Sequence, residues 1–228
     1  MSVESDPAFI TLHVLRVRGV TGTEEVAVAT RLDEVTVDAA MAEHRARELV
    51  VLRTGNLPGW ALTRLGRDED AQLAANELDA AGHRRIVDAL YRSFLELNPA
   101  LLLLCTDWQL LPIADNKTPP ELNRHDDPAY DAEVLARLAK VDSAVQPICA
   151  GLADALARFG GYGPRLAAAR ARVEAGEHEW MTKPMIDSYH SVWFELHEDL
   201  LATLGIERGS EPGPAGDEAK PIGMEEVS

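Results

Sequence analysis

The chain holds only two cysteines in 228 residues, Cys105 and Cys149, widely separated and each in apolar surroundings. That excludes a disulfide framework and a zinc knuckle, and implies buried free thiols. Long hydrophobic runs are missing too: the longest, Ala100 to Cys105, falls far short of the roughly 18 to 20 residues that span a membrane. The first residues, Met1-Ser2-Val3-Glu4-Ser5-Asp6, carry neither the basic nor the apolar segment of a secretory signal, so a cytoplasmic location without membrane contact is expected. There is no solenoid repeat, no glycine-rich phosphate loop and no Gly-x-Ser-x-Gly elbow, and neither cysteine has a basic neighbour in sequence. Neither an enzymatic activity nor a cofactor is therefore expected.

Positive charge is scarce: Lys and Arg total 22 against 38 Asp and Glu, a net charge of −16. Such a surface repels nucleic acid. The deficit is uneven, however, because residues 8–67 carry eight Arg against seven acids while residues 68–228 carry a net −15. At 46% apolar residues the chain can build one large core or two modest ones.

What is present begins with Asp6-Pro7, an N-cap followed by a proline at the first helical position, and predicts a helix through Phe9, Leu12 and Leu15 to Gly19. Thr23 is expected to cap a short helix over 24–31, and a third is expected over 35–48 with Val37, Ala40, Met41 and His44 inward. An apolar run, Leu49-Val50-Val51-Leu52-Arg53, then meets a turn, Thr54-Gly55-Asn56-Leu57-Pro58, and a second run, Gly59-Trp60-Ala61-Leu62, which together read as a β-hairpin.

Val26-Ala27, Glu48-Leu49-Val50 and the exit Gly59-Trp60-Ala61-Leu62-Thr63-Arg64-Leu65-Gly66-Arg67 resemble the winged helix-turn-helix of MarR-type and PadR-type bacterial regulators, over about a quarter of the chain. The chain departs from those families at Glu48, where they often have Gly, and at Asp38 and Glu43, acids on the face of the third helix that would read a major groove. The resemblance implies binding of double-stranded DNA as a homodimer. Thr36, Arg45, Arg47, Arg53, Asn56, Arg64 and Arg67 are the residue types suited to phosphates and base edges there.

Beyond Arg67 the pattern is helical. One helix is expected over 68–98, closed by Asn98-Pro99, followed by an element over 101–111 apolar enough to be buried all round. A loop over 112–128, helices over 129–159 with a break or kink at Pro147, over 164–175 and over 184–204, and a disordered acidic tail over 207–228 complete the reading. His190 and His197 lie two turns apart on the last helix. With Tyr189, Trp193 and Phe194, and with Asp107-Trp108 from a neighbouring helix, they are expected to line one apolar pocket for a small effector.

A metal-dependent alternative, in which His190 and His197 resemble the ligands of helical DinB-type enzymes, finds no third ligand. His83, His125 and His178 qualify by residue type only, and no metal site is assigned. The expected whole is mainly α: an N-terminal winged helix-turn-helix (7–67) with a small β-hairpin wing, an all-helical sensing and dimerisation domain (68–206) and a tail. The expected role is a DNA-binding transcriptional regulator. The rival is an adaptor that uses the winged helix to contact a protein.

Overall fold

A computed structural model of the chain describes residues 3–111 and 121–207. In the first helix, α1 (Pro7–Arg18), the Asp6 carboxylate accepts from the Ala8 N–H at 2.8 Å and Gly19 closes the C-terminus at φ +80°. Helix α2 (Thr23–Thr30) starts one residue earlier than expected, with Gly22 at the cap. Thr23 is spent elsewhere, its hydroxyl accepting from the Trp60 indole N–H at 3.1 Å. Helix α3 (Glu34–Ala46) is capped by Asp33 and buries Val37, Met41 and His44, while Ala40 is half-buried.

The chain leaves α3 two residues sooner than the pattern suggests, turning at Glu48 with φ +59°. Strand β1 (Val50–Arg53) then pairs antiparallel with β2 (Gly59–Leu62), in a register running from Val50 opposite Leu62 to Arg53 opposite Gly59. Three helices followed by this hairpin give the winged-helix order. The hairpin is tied to the α1–α2 turn by reciprocal backbone bonds between Thr21 and Trp60, at 2.8 and 3.0 Å. Gly59, at φ +144°, permits that approach, since a Cβ there would stand 2.9 Å from the Thr21 carbonyl.

Helix α4 (Arg64–Ala81) starts at Thr63, whose hydroxyl accepts from the Gly66 N–H at 3.0 Å. The helix expected over 68–98 is divided, because Gly82 takes a left-handed conformation and ends α4. Conversely, Asn98-Pro99 closes nothing: α5 (Arg84–Gln109) runs through it, as α6 (Pro128–Ala155) runs through Pro147. Each proline deletes one intrahelical hydrogen bond, and packing of α5 along α6 outweighs that loss. The stretch expected to be buried all round keeps an exposed side, with Leu102 and Leu103 52% and 57% exposed.

A 3-10 turn (Ala157–Gly161), α7 (Tyr162–Glu174), a second 3-10 turn (His178–Trp180) and α8 (Tyr189–Leu204) follow. Ser188 caps α8, so the helix opens after Pro184 rather than at it, and Gly205 ends it. One apolar core, including Leu12, Val26, Val37, Met41 and Leu49, lies within the winged helix. A larger one, including Tyr91, Phe94, Leu138, Phe159 and Trp193, lies within the helical part. Helix α1 bridges them by packing on both α4 and α8.

Both cysteines are buried and free, and burial pushes each thiol up to about 12. Among the described residues no helix is long and apolar enough to cross a membrane. The tail expected over 207–228 lies, beyond Glu207, outside the described residues, as do residues 112–120 of the expected loop.

Two substitutions test this construction by urea denaturation. Glu48→Gly relieves a left-handed residue and should raise stability by about 0.5–1 kcal/mol, the left-handed penalty less the entropy of an added glycine. Gly66→Ala should lower it by about 1–3 kcal/mol, as overpacking does, because its Cβ would stand 2.0 Å from the Leu49 carbonyl oxygen that anchors the wing to α4.

Candidate functional site

The residues predicted to face DNA spread over both ends of α3, the wing and the start of α4. Arg45, Arg53, Asn56, Arg64 and Arg67 are exposed, and the four arginines make no ion pair among the described residues. Arg47 is committed to Glu69 at 2.5 Å. Thr36 is half-buried, and its hydroxyl donates to the exposed cap residue Asp33 at 2.8 Å. Between α3 and the wing, Asp38, Ala42, Arg45, Ala46 and Trp60 line a shallow groove.

The seven residues predicted to form one pocket lie in three places. Asp107 pairs with Arg137 at 2.6 Å on the outside of α5, while Trp108 points inward, donates to the His178 carbonyl at 3.2 Å and packs against the His125 ring. Trp193 and His197 both rest on Phe94, and the Trp193 indole N–H donates to Asn98 at 3.0 Å. Tyr189 is buried and donates to Asp142 at 3.3 Å. His190 and Phe194 turn toward the winged helix, where with Val17, Thr21, Leu57 and Pro58 they line an open cleft. Seven residues of helix separate His190 from His197 by about 10 Å along the axis, so one meets the wing and the other meets α5.

The polar centre that pattern reading passed over lies between the two cores. His13, in the middle of α1, sets Nδ1 2.9 Å from Asp70 of α4 and Nε2 3.1 Å from Asp199 of α8. The Arg158 guanidinium donates to Asp199, to Glu77 at 2.9 Å and to the Thr203 hydroxyl at 2.6 Å, and stacks on Phe159. The Tyr162 hydroxyl completes the shell, donating to the second Asp199 oxygen at 2.9 Å. Burial by itself lowers the His13 pKa; Asp70 and Asp199 more than offset it against Arg158 and raise it to about 9, so the ring is an imidazolium at neutral pH. Asp199, though burial opposes its charge, is held well below the usual carboxylate range by Arg158 and His13.

The available signal was His13 itself, a polar residue between Leu12 and Val14 on a stripe otherwise apolar. Its partners lie 57 to 186 positions away in sequence, and no local pattern joins them.

The same three groups, His13, Arg158 and Asp199, form part of the wall of a cavity of about 320 Å³ between α1 and α2 on one side and α7 and α8 on the other. Across it, Arg165 grips Asp187 through two hydrogen bonds of 2.8 and 2.9 Å and reaches Glu195 at 2.7 Å, and Arg18 meets Glu195 at 3.3 Å. Arg31, left-handed at φ +60° at the end of α2, borders the cavity and has no ion pair among the described residues. The chain matches no known protein family, no curated protein and no solved structure, so these geometries carry the functional reading.

The network makes stability depend on pH in a definite direction. A raised His13 pKa contributes stability that is complete below its unfolded value of 6.5 and is lost as pH rises through about 9. A depressed Asp199 contributes stability that is complete above its unfolded value of 3.8 and is lost as pH falls through its lowered pKa. The unfolding free energy should therefore drop by on the order of 3 kcal/mol between pH 6.5 and 9.5. His13→Gln should abolish most of that slope while lowering stability at pH 6.5, both read from urea midpoints.

Proposed function

We propose that this chain is a DNA-binding transcriptional regulator of the MarR/PadR type, acting as a dimer, whose helical part answers a small anionic effector. The observation that carries the reading is the distribution of ion pairs. Among the described residues of a chain of net charge −16, most arginines of the helical part, including Arg137, Arg158, Arg165, Arg170 and Arg172, are held by a carboxylate, with Arg85 and Arg124 the exceptions, while Arg45, Arg53, Arg64 and Arg67 around the wing have none. Unpaired guanidinium groups beside a wing suit phosphate oxygens, and each contact releases counterions.

The cavity beside His13 and Arg158 supports the sensing role. An anion drawn there by Arg31 touches helices of the winged module and of the helical part together. By binding one relative arrangement more tightly than another, it shifts the spacing of two wings in a dimer.

A second reading rests on the outer face of α3, where Val35 is 79% exposed beside the acids Asp38 and Glu43. Such a face suits a protein partner better than a phosphate backbone.

Titrating the chain against its own upstream DNA at low salt should give saturable binding. An Arg45→Ala, Arg53→Ala double variant should bind more weakly and reduce the salt slope of log K by about two, one per lost phosphate contact. Absence of binding at micromolar protein, together with a stoichiometric protein partner, would give the surface to the adaptor reading.

A further inference from the structure

Three side chains of metal-ligand type, drawn from three separate elements, converge beside Trp108. His125 stands in the segment ahead of α6, Asp131 in the first turn of α6, and His178 opens the 3-10 turn after α7. One donor atom of each lies within 4.8 Å of the others. His125 Nδ1 is 3.0 Å from Asp131 Oδ2, and the His125 and His178 rings are 4.2 Å apart between centroids. The sequence offered His125 and His178 only by type, 53 positions apart; the third histidine weighed with them, His83, is engaged elsewhere by the Ala155 carbonyl at 3.0 Å.

The surroundings are built to hold these groups. Asn123 donates to Asp131 at 3.0 Å and accepts from the His125 backbone N–H at 3.0 Å, so one amide orients two of the three. Trp108 packs against both imidazoles and fixes the main chain of His178 through its indole N–H. His125 adopts φ +59°, a left-handed conformation that a side chain rarely takes and that recurs at ligand clamps.

The buried carboxylates Asp142 and Asp199 each hold an arginine; Asp131, 8% exposed, like the buried Asp70 with His13, has a histidine and no arginine or lysine as partner among the described residues, and unlike Asp70 it has a second histidine, His178, beside it. A buried carboxylate calls for a cation, and here its charged-type neighbour is a histidine able to act as a ligand.

We propose that His125, Asp131 and His178 form a binding site for a first-row transition dication. Two imidazoles and one carboxylate are a nitrogen-rich set that suits zinc and its neighbours and not calcium or magnesium, which take oxygen ligands. An open cavity of about 460 Å³, bordered by Gln109, Glu179 and Thr182, adjoins His125 and His178 and leaves coordination positions for water or a small ligand. Asn123 is the positioning residue, the outer-shell partner that such carboxylates require.

Chelator-stripped full-length chain titrated with zinc by calorimetry, and with cobalt(II) by visible absorption, tests the site. The proposal expects one saturable equivalent, cobalt bands showing nitrogen ligation, and a melting temperature raised by zinc. A His125→Ala, His178→Ala double variant should lose that equivalent, and Asn123→Ala should weaken it about 10- to 100-fold. If the alanine variants do not fold, Asp131→Asn, which keeps shape and removes the charge, carries the same comparison. Absence of saturable binding, or an equivalent unchanged in the variants, would overturn the assignment. Neither outcome depends on whether the wing binds DNA.

Discussion

The buried ionic network around Arg158 is the constraint on which the arrangement of this chain depends. It gathers α1 of the winged helix, α4 that leads out of it and α8 that ends the helical part around one carboxylate, Asp199. Five charged side chains so deeply buried are costly, and their mutual attraction repays that cost only while every partner is in place. Their contribution is therefore best regarded as specificity of docking: two apolar cores could slide on one another, but Asp199 accepts from His13, Arg158, Tyr162 and Thr203 in one geometry alone.

That constraint has a functional corollary. The wing is tied through Trp60 to the α1–α2 turn, and α1 is tied through His13 to the helical part. Any change in the charges around Asp199 acts on the element that carries the wing. An anion in the neighbouring cavity would be one such change, and loss of the His13 proton another; each would bias how the two parts sit together. The carboxylates that make the chain so acidic also pair with most arginines of the helical part.

Much of the architecture was legible because its signals are local. Asp6-Pro7 and Gly19 act through bonds to backbone groups a few residues away, and the hairpin is written in one continuous stretch. The misreadings have equally local causes. Pro99 and Pro147 look like breaks, yet each costs one hydrogen bond in a helix held by a long interface; Gly82, inside the helix expected over 68–98, takes a left-handed conformation that ends it. The expected effector pocket failed as a single site because helical periodicity tells which residues share a face and is silent on what each turn of that face meets. His190 meets the wing and His197 meets Phe94.

By itself the sequence determined the mainly helical character, the hairpin after three helices and the apolar stripes that face inward, since propensity and periodicity act over a few residues. Only the tertiary structure decided which charges are buried together and which imidazoles converge. His13 with Asp199, and His125 with Asp131 and His178, are joined by the packing of distant elements, and electrostatic partnership between buried groups depends on distance in space rather than on separation along the chain.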